Sequence, residues 1–402
     1  MHCTQQITPT IHWVGGNDRR LAQFENMFPL TNGVCYNSYL IMDEKIALMD
    51  TVDSAITAQF FENLTYVLKG QSIDYLVVNH MEPDHCANIE ELTRRYPNMK
   101  IVGNKKTFLM IEQFYDFDAK ANYLEVKDGD TLSLGSHTLQ FVFAPMVHWP
   151  EVMVTYEQSE KILFSADAFG SFGAIAGNIF NDQLDYKGEY MEEFRRYYTN
   201  IVGKYGPQVQ TLLKKAAALD IEMICPLHGV VWRKDLEFML NKYNLWSSYT
   251  PEENGVLLIY ASMYNNTENA ANVLANKLAQ KGVTHMHMYD VSKTHPSTII
   301  SEAFKYSNIV IGCPIYNNNV YLPMESLIHD MALLNLQNRK VSLIANSSWS
   351  PNPAKNLTAV VEKMKKVEIV GTPFELKSSL KPQDEARLEE LAEAIFASLN
   401  KN

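Results

Sequence analysis

The sequence predicts an α/β protein in two parts: layered sheets with helices outside, followed by a doubly wound parallel sheet. Three observations lead there. Over roughly the first 250 residues, short β-rich runs alternate with helical stretches without a regular period. At Ser247–Gly255 the chain reads SSYTPEENG, polar and turn-rich, and a fresh apolar run follows. Beyond it, strands and helices alternate one for one, as βαβ units do.

The elements follow in order. In the first part Ile46–Asp50, Asp74–Asn79, Leu139–Ala144 and Lys161–Ser165 are apolar runs bounded by turn residues and read as strands, while Ala55–Lys69 and Tyr190–Ala218 read as helices. In the second part the strands are Val256–Tyr260, His285–Asp290, Asn308–Gly312, Lys340–Ala345 and Glu368–Gly371. Helices are predicted over Thr267–Lys281, Pro296–Tyr306 and Leu322–Asn335, and near Asn356–Lys365 and Glu385–Leu399. Five strands with a helix after each give a doubly wound sheet, with the order 2-1-3-4-5 expected. The domain division is expected between residues 1–250 and 251–402.

The 402 residues are 46% hydrophobic and 20% charged, the balance of a globular chain rather than a disordered one. No apolar run reaches the roughly 18 residues of a membrane span. The opening MHCTQQITPTIHWVGG lacks the basic and then apolar regions of a signal peptide, so a cytoplasmic protein is expected. Lys and Arg number 35 against 46 Asp and Glu, for a net charge of −11, which argues against nucleic acid as partner. Such binding depends on cationic side chains displacing counterions. The five cysteines, Cys3, Cys35, Cys86, Cys225 and Cys313, form no CxxC pair. Reduced thiols are expected, with neither a zinc ribbon nor a rubredoxin-type iron site.

The run Asn79-His80-Met81-Glu82-Pro83-Asp84-His85 places four donor side chains at the C-terminal end of a predicted strand. As a plain polar loop, it would use Asp84 to N-cap the next helix. Carboxylates this close repel one another, however, and need cations if buried. Three further donors stand at the ends of later apolar runs: His148 after LQFVFAPMV, Asp167 after KILFSA, and His228 after IEMICPL. Four imidazoles and three carboxylates suffice for two metal ions with one carboxylate between them. His2, His12, His137, His285, His287, His295 and His329 have no partner at ligand spacing and read as surface or core residues. Cys86 and Cys225 read as packing.

The pattern H-x-E-x-D-H resembles the H-x-H-x-D-H of metallo-β-lactamase-fold hydrolases, with Glu82 replacing the second His. A carboxylate for an imidazole makes the site harder and more anionic, favouring iron or manganese over zinc. Taken with Met146-Val147-His148-Trp149-Pro150, Phe164-Ser165-Ala166-Asp167 and Pro226-Leu227-His228-Gly229, the chain resembles the flavodiiron family. That resemblance implies an N-terminal metallo-β-lactamase-like αββα sandwich. It also implies one iron on His80, Glu82 and His148, the other on Asp84, His85 and His228, and Asp167 bridging. Members of the family differ in whether the residue matching His85 ligates.

In the second part, GVLLIY runs into Ala261-Ser262-Met263-Tyr264-Asn265-Asn266-Thr267 and a helix. Hydroxyls and amides at a helix N-terminus make a phosphate site. The flavodoxin loop [ST]-x-[TY]-G-x-T is met by Ser262, Tyr264 and Thr267, with Asn265 where glycine is usual. Asn tolerates left-handed backbone better than most residues. Two more loops, Pro314-Ile315-Tyr316-Asn317-Asn318-Asn319 and Asn346-Ser347-Ser348-Trp349, follow the third and fourth strands. They approach the same switch-point crevice, where Tyr316 and Trp349 suit a planar isoalloxazine. FMN is the expected cofactor.

The resemblance implies that FMN feeds two non-haem irons, which reduce O2 to water or NO to N2O. It further implies a head-to-tail homodimer or a dimer of such dimers. A separate electron donor is expected, such as rubredoxin, a rubredoxin reductase system or a reduced soluble cofactor. The alternative is a metallo-β-lactamase-type metal hydrolase with an appended flavodoxin-like electron-transfer domain, against which Glu82 and the flavin loops weigh. A pure electron carrier would leave seven donor side chains idle. A redox-sensing regulator would need a nucleic-acid or partner surface that the acidic composition does not suggest.

Overall fold

Runs of two to six residues, each stopped by a turn, build the two sheets of the first unit in the computed structural model, which describes residues 1–118 and 120–400. By contacts the chain divides into Met1–Tyr198 with Pro207–Tyr243, and Thr199–Gly206 with Asn244–Asn402. The turn-rich Ser247–Gly255 lies inside the second unit.

In the first unit, Gln5–Gln6, Ile11–Trp13, Tyr39–Ile41, Ala47–Met49, Tyr75–Val77, Lys100–Gly103 and Tyr123–Glu125 lie side by side in that order. Pairing is antiparallel as far as Ala47–Met49 and parallel beyond it. The second sheet runs Thr131–Ser133, Thr138–Phe143, Met153–Glu157, Ile162–Phe164, Met223–Cys225. Tyr39, Met49, Val77 and Val102 from one sheet meet Phe141, Met153, Phe164 and Cys225 from the other in a single apolar layer. The alternate residues Leu40, Leu48 and Leu76 are buried too, so these strands are apolar on both faces, as sheets covered by helices must be. Thr57–Leu68 is one such helix and buries Phe60, Phe61, Leu64 and Val67.

The expected helix Tyr190–Ala218 is several pieces. The α-turns of Met191–Tyr197 pass through a π-type segment, Tyr198–Val202, and a tight turn, Gly203–Tyr205, before Gly206–Ala216 resumes. The break falls where Gly203, Gly206 and Pro207 weaken the helix, and the Tyr249 hydroxyl bonds the Gly206 amide (3.2 Å) and the Gly203 carbonyl (3.0 Å).

The main path of the second unit's sheet is five parallel strands ordered Met286–Asp290, Glu253–Tyr260, Tyr306–Tyr316, Gln337–Asn346, Lys365–Ile369, which is 2-1-3-4-5, with Phe374–Leu376 also parallel beside Gln337–Asn346. The fifth strand begins three residues before the expected Glu368, and Pro353–Val361 is the helix ahead of it. Val256, Leu258, Val310 and Ile344 pack against Leu274 and Leu278 of Asn266–Gln280 and against Leu388, Leu391 and Ile395 of Glu385–Leu399. Arg339 is fully buried. Its guanidinium donates to the carbonyls of Ala303 (2.8 Å), Phe304 (2.7 Å), Tyr249 (2.8 Å) and Gln337 (2.8 Å). It thereby caps the last turn of Pro296–Lys305 from within.

Candidate functional site

The seven donor residues converge because the sheets deliver them. Phe164 and Cys225 pair across parallel strands, and Asp167 and His228 each follow three residues later, so both emerge at the same sheet edge. Gly229, next to His228, has φ 74°, and a Cβ there would meet Ser171 Oγ at 2.3 Å. In the first sheet the strand Ala47–Met49 ends at Asp50. Its buried carboxylate accepts from the Asn79 amide (2.7 Å), the Asn79 side chain (2.7 Å) and the His80 amide (3.1 Å). These bonds pin the chain as it leaves Tyr75–Val77. Pro83 then opens the helical turn Pro83–Cys86, where its missing N–H costs nothing, and Glu82, Asp84 and His85 are all buried. The capping reading of Asp84 does not hold. Both its oxygens are buried without a hydrogen-bond partner among the described residues.

Two donor groups form, His80 with Glu82, His148 and Asp167, and Asp84 with His85 and His228. Glu82 Oε2 lies 3.2 Å from His80 Nε2 and 3.1 Å from His148 Nε2. Asp84 Oδ2 lies 3.5 Å from His85 Nε2 and 3.3 Å from His228 Nε2. Asp167 divides its oxygens: Oδ2 faces His148 at 3.1 Å, and Oδ1 faces His85 at 3.2 Å.

Burial disfavours the charged imidazolium of His148, yet Asp167 and Glu82 outweigh it and push its pKa up to about 9. Burial opposes ionisation of Glu82 and Asp167 as well, but the facing imidazoles hold both carboxylates below their usual range. The fit to metal rests on the orphaned atoms. Asp84 Oδ1 and Oδ2 and Asp167 Oδ1 are buried with no hydrogen-bond partner among the described residues, and His85 Nε2 faces His228 Nε2 at 3.0 Å. Cations between these groups satisfy all of them at once.

A cavity of about 260 Å³ opens over Glu82 and Asp84, walled by Phe24, Glu25 and Tyr36. Its rim is a hairpin, Gln23–Phe24 with Phe28–Pro29, whose turn residues Glu25 and Asn26 are both left-handed. The rings of Phe24, Tyr36 and Tyr197 stand 5.4, 5.6 and 5.5 Å from that of His228, an apolar wall on one side. The Tyr197 hydroxyl is buried and has no hydrogen-bond partner among the described residues. Burial, then the charges of Asp167, Asp84 and Glu82, push its pKa well up.

In the second unit the three loops border one cavity of about 350 Å³. Ser262, Met263, Tyr264, Asn266, Thr267, Pro314, Ile315, Tyr316, Asn317, Asn346, Ser347, Ser348 and Trp349 line it, together with Ser378, which sequence reasoning missed. Asn265 and Asn318 are exposed and do not line it. Asn265 takes the left-handed conformation asked of it (φ 63°) and accepts no cap bond. Ser262 Oγ accepts the Glu268 amide at 3.3 Å instead, which sets the hydroxyl beside the N-terminus of Asn266–Gln280, where an anion is favoured. Asn317 and Asn318 are left-handed as well. Asn346 Nδ2 donates to Thr267 Oγ1 at 3.1 Å and to Ser378 O at 3.0 Å, tying the phosphate loop to the later loops. Tyr264 and Trp349, 85% and 74% exposed, stand at the rim with their faces unpacked.

Sequence reasoning also missed Asp50, Tyr197 and Glu151. Asp50 and Glu151 carried a signal, a carboxylate at a strand end and an acid three residues after His148. Tyr197 carried none. Of the histidines read as bland, none joins a donor group among the described residues.

A family model described as ODP family beta lactamase matches residues 34–229, and the flavodoxin model matches 258–395. The anaerobic nitric oxide reductase flavorubredoxin of Vibrio vulnificus is 32% identical over 352 residues, 86% of this chain and 70% of that one. The solved rubredoxin oxygen:oxidoreductase of Desulfovibrio gigas superposes with a TM-score of 0.91 at 30% identity, over 99% of this chain and 98% of that one. The flavodiiron protein of Giardia intestinalis shares the fold, with a TM-score of 0.92 at 24% identity over 99% and 98%. Among the described residues no helix is long and apolar enough to cross a membrane. With both halves matched in order, the chain belongs to the flavodiiron protein family, oxidoreductases built on a non-haem di-iron centre and FMN.

Proposed function

We propose that this chain reduces O2 to water, NO to N2O, or both, with residues 1–250 as the di-iron domain and 251–402 as the flavin domain. The observation that carries the reading is the division of Asp167, one oxygen toward each of two buried donor groups. In this reading His80, Glu82 and His148 would hold one iron and Asp84, His85 and His228 the other, with Asp167 offering an oxygen to each. When bound, two ferrous ions and a reduced flavin supply the four electrons that O2 needs, or the two needed by a pair of NO molecules.

The chain's own residues do the rest. Phe24, Tyr36 and Tyr197 wall the centre with apolar rings, which admit a neutral diatomic and hold back water. The Tyr197 hydroxyl, unpartnered in the fold, would be available as a hydrogen-bond donor to a substrate at the centre. The N-terminus of Asn266–Gln280 receives the flavin phosphate, and Tyr316 and Trp349 flank the ring. A second copy of the chain, paired head to tail, covers the exposed rim aromatics. Rubredoxin, a rubredoxin reductase system or a reduced soluble cofactor delivers the electrons.

Oxygen and NO electrodes, run on one reduced sample containing iron and FMN, test the reading. Consumption of at least one gas is expected. A loaded sample that consumed neither would end the proposal.

A further inference from the structure

The imidazoles of the two donor groups turn their far nitrogens to unlike company. His80 Nδ1 lies 2.8 Å from Glu151 Oε1, and the same oxygen accepts the Met81 amide at 2.8 Å. His228 Nδ1 instead lies 2.9 Å from the Cys35 carbonyl, and His85 Nδ1 has no hydrogen-bond partner among the described residues. The facing carboxylates balance: Glu82 serves His80 and His148, Asp84 serves His85 and His228, and Asp167 gives an oxygen to each side. Among the described residues, Glu151 is the one carboxylate hydrogen-bonded to the far nitrogen of these imidazoles; the buried Asp50 meets the His80 backbone amide instead.

Glu151 is also firmly placed. Asn104 Nδ2 donates to the Glu151 carbonyl at 2.6 Å, while Asn104 Oδ1 caps Lys105–Phe114 through the Lys106 and Thr107 amides. The Trp149 ring meets that of His80 edge-on at 5.3 Å. Glu151 is 1% exposed, and its Oε2 is buried without a partner among the described residues. A neutral amide oxygen would serve the Met81 amide equally well. The carboxylate therefore carries a desolvation cost that only His80 repays.

We propose that Glu151 is a positioning residue that makes the two metal positions unequal. It keeps the His80 proton on Nδ1, leaves Nε2 as the only lone pair, and lends the imidazole anionic character. Metal at His80, Glu82 and His148 is then bound more tightly, and its oxidised form is better stabilised, than metal at Asp84, His85 and His228. One electron drawn from the fully reduced pair by a one-electron oxidant such as ferricyanide leaves the His80 position first. The inference rests on the di-iron reading above.

The test is iron-57 Mössbauer spectroscopy and potentiometric titration of the full chain, with Glu151→Gln and Glu151→Asp. The wild type should hold two irons per chain in two distinct sites, one oxidised ahead of the other by ferricyanide. Glu151→Gln should weaken iron at one position about tenfold or more. It should raise that couple by about 59 mV for each tenfold in the one-electron equilibrium, and Glu151→Asp should restore part of the shift. Unmoved couples with full iron, or an equal shift in both sites, overturn the inference while leaving the di-iron reading intact. If Glu151→Gln fails to fold, Glu151→Asp decides: displacement of one site supports the inference, and spectra identical to the wild type overturn it. A wild type that does not take two irons fails the di-iron reading itself, and this inference with it.

Discussion

Tyr197→Phe separates a structural from a catalytic tyrosine, because the two roles predict opposite signs. The ring stays, so the contacts with His228, Phe24 and Phe172 at 5.5, 6.3 and 5.1 Å are kept. Only the hydroxyl is lost, and it is buried without a partner among the described residues. A buried unsatisfied polar group costs about 1–3 kcal/mol. Its removal should therefore stabilise the first unit by about 1 kcal/mol or more, raising its melting temperature by about 2–4 °C for a unit of this size. The hydrogen bond it offers to an oxygen gaining charge at the centre is worth about 1.5–3 kcal/mol, or about tenfold to a hundredfold in turnover. Thermal unfolding and gas-electrode rates on samples of equal iron content measure both. A variant less stable than the wild type, with unchanged gas consumption, would show that the hydroxyl serves the fold and not the centre.

Glu82→His rebuilds the H-x-H-x-D-H donor set. Protein produced with iron and zinc both present should shift its bound metal towards zinc and lose gas consumption by at least about tenfold; metal analysis checks the first and the electrodes the second. Arg339→Met strands four buried carbonyls, those of Ala303, Phe304, Tyr249 and Gln337. At about 1 kcal/mol or more each, the second unit should lose about 4 kcal/mol, seen as an earlier urea midpoint for flavin release. His137 is buried, and Glu157 at 3.1 Å raises its pKa above the ordinary value, more than burial lowers it. Its folded pKa exceeds its unfolded one, so the contribution is complete below pH of about 6.5 and disappears as pH rises through the folded pKa. His137→Gln should therefore flatten the fall in urea midpoint between mildly acidic and alkaline pH.

The donor residues were legible because a side chain three residues past a buried strand has few places to go. His228 after MIC and Asp167 after ILF emerge together for that reason, and a continuous apolar run betrays the strand. The order of the five main strands in the second unit was legible, since each βαβ repeat is long enough to show its period, whereas the short strand Phe374–Leu376 and the loop holding Ser378 were not. Asn265 could be matched to a left-handed turn because its side chain tolerates one. What escaped was shorter or more distant. Gln5–Gln6 and Ile11–Trp13 are too brief to show any period and exist through pairing with neighbours. Tyr197 ends the helix Met191–Tyr197, just ahead of a π-type segment, and its place beside His228 depends on tertiary packing that no apolar spacing announces. Glu151 was visible as an acid, but its meaning lies in the ring it faces.

The pairing of Phe164 with Cys225 also bears on how such a chain can change over time. One residue inserted or deleted in the turn between either partner and its donor would carry Asp167 or His228 away from the other donors. A comprehensive insertion and deletion scan should find these two tripeptides intolerant of any change in length. The exposed turn Ala176–Asn178, within the excursion between Asp167 and Met223, should absorb new segments, so variation has room to accumulate there without displacing a donor atom.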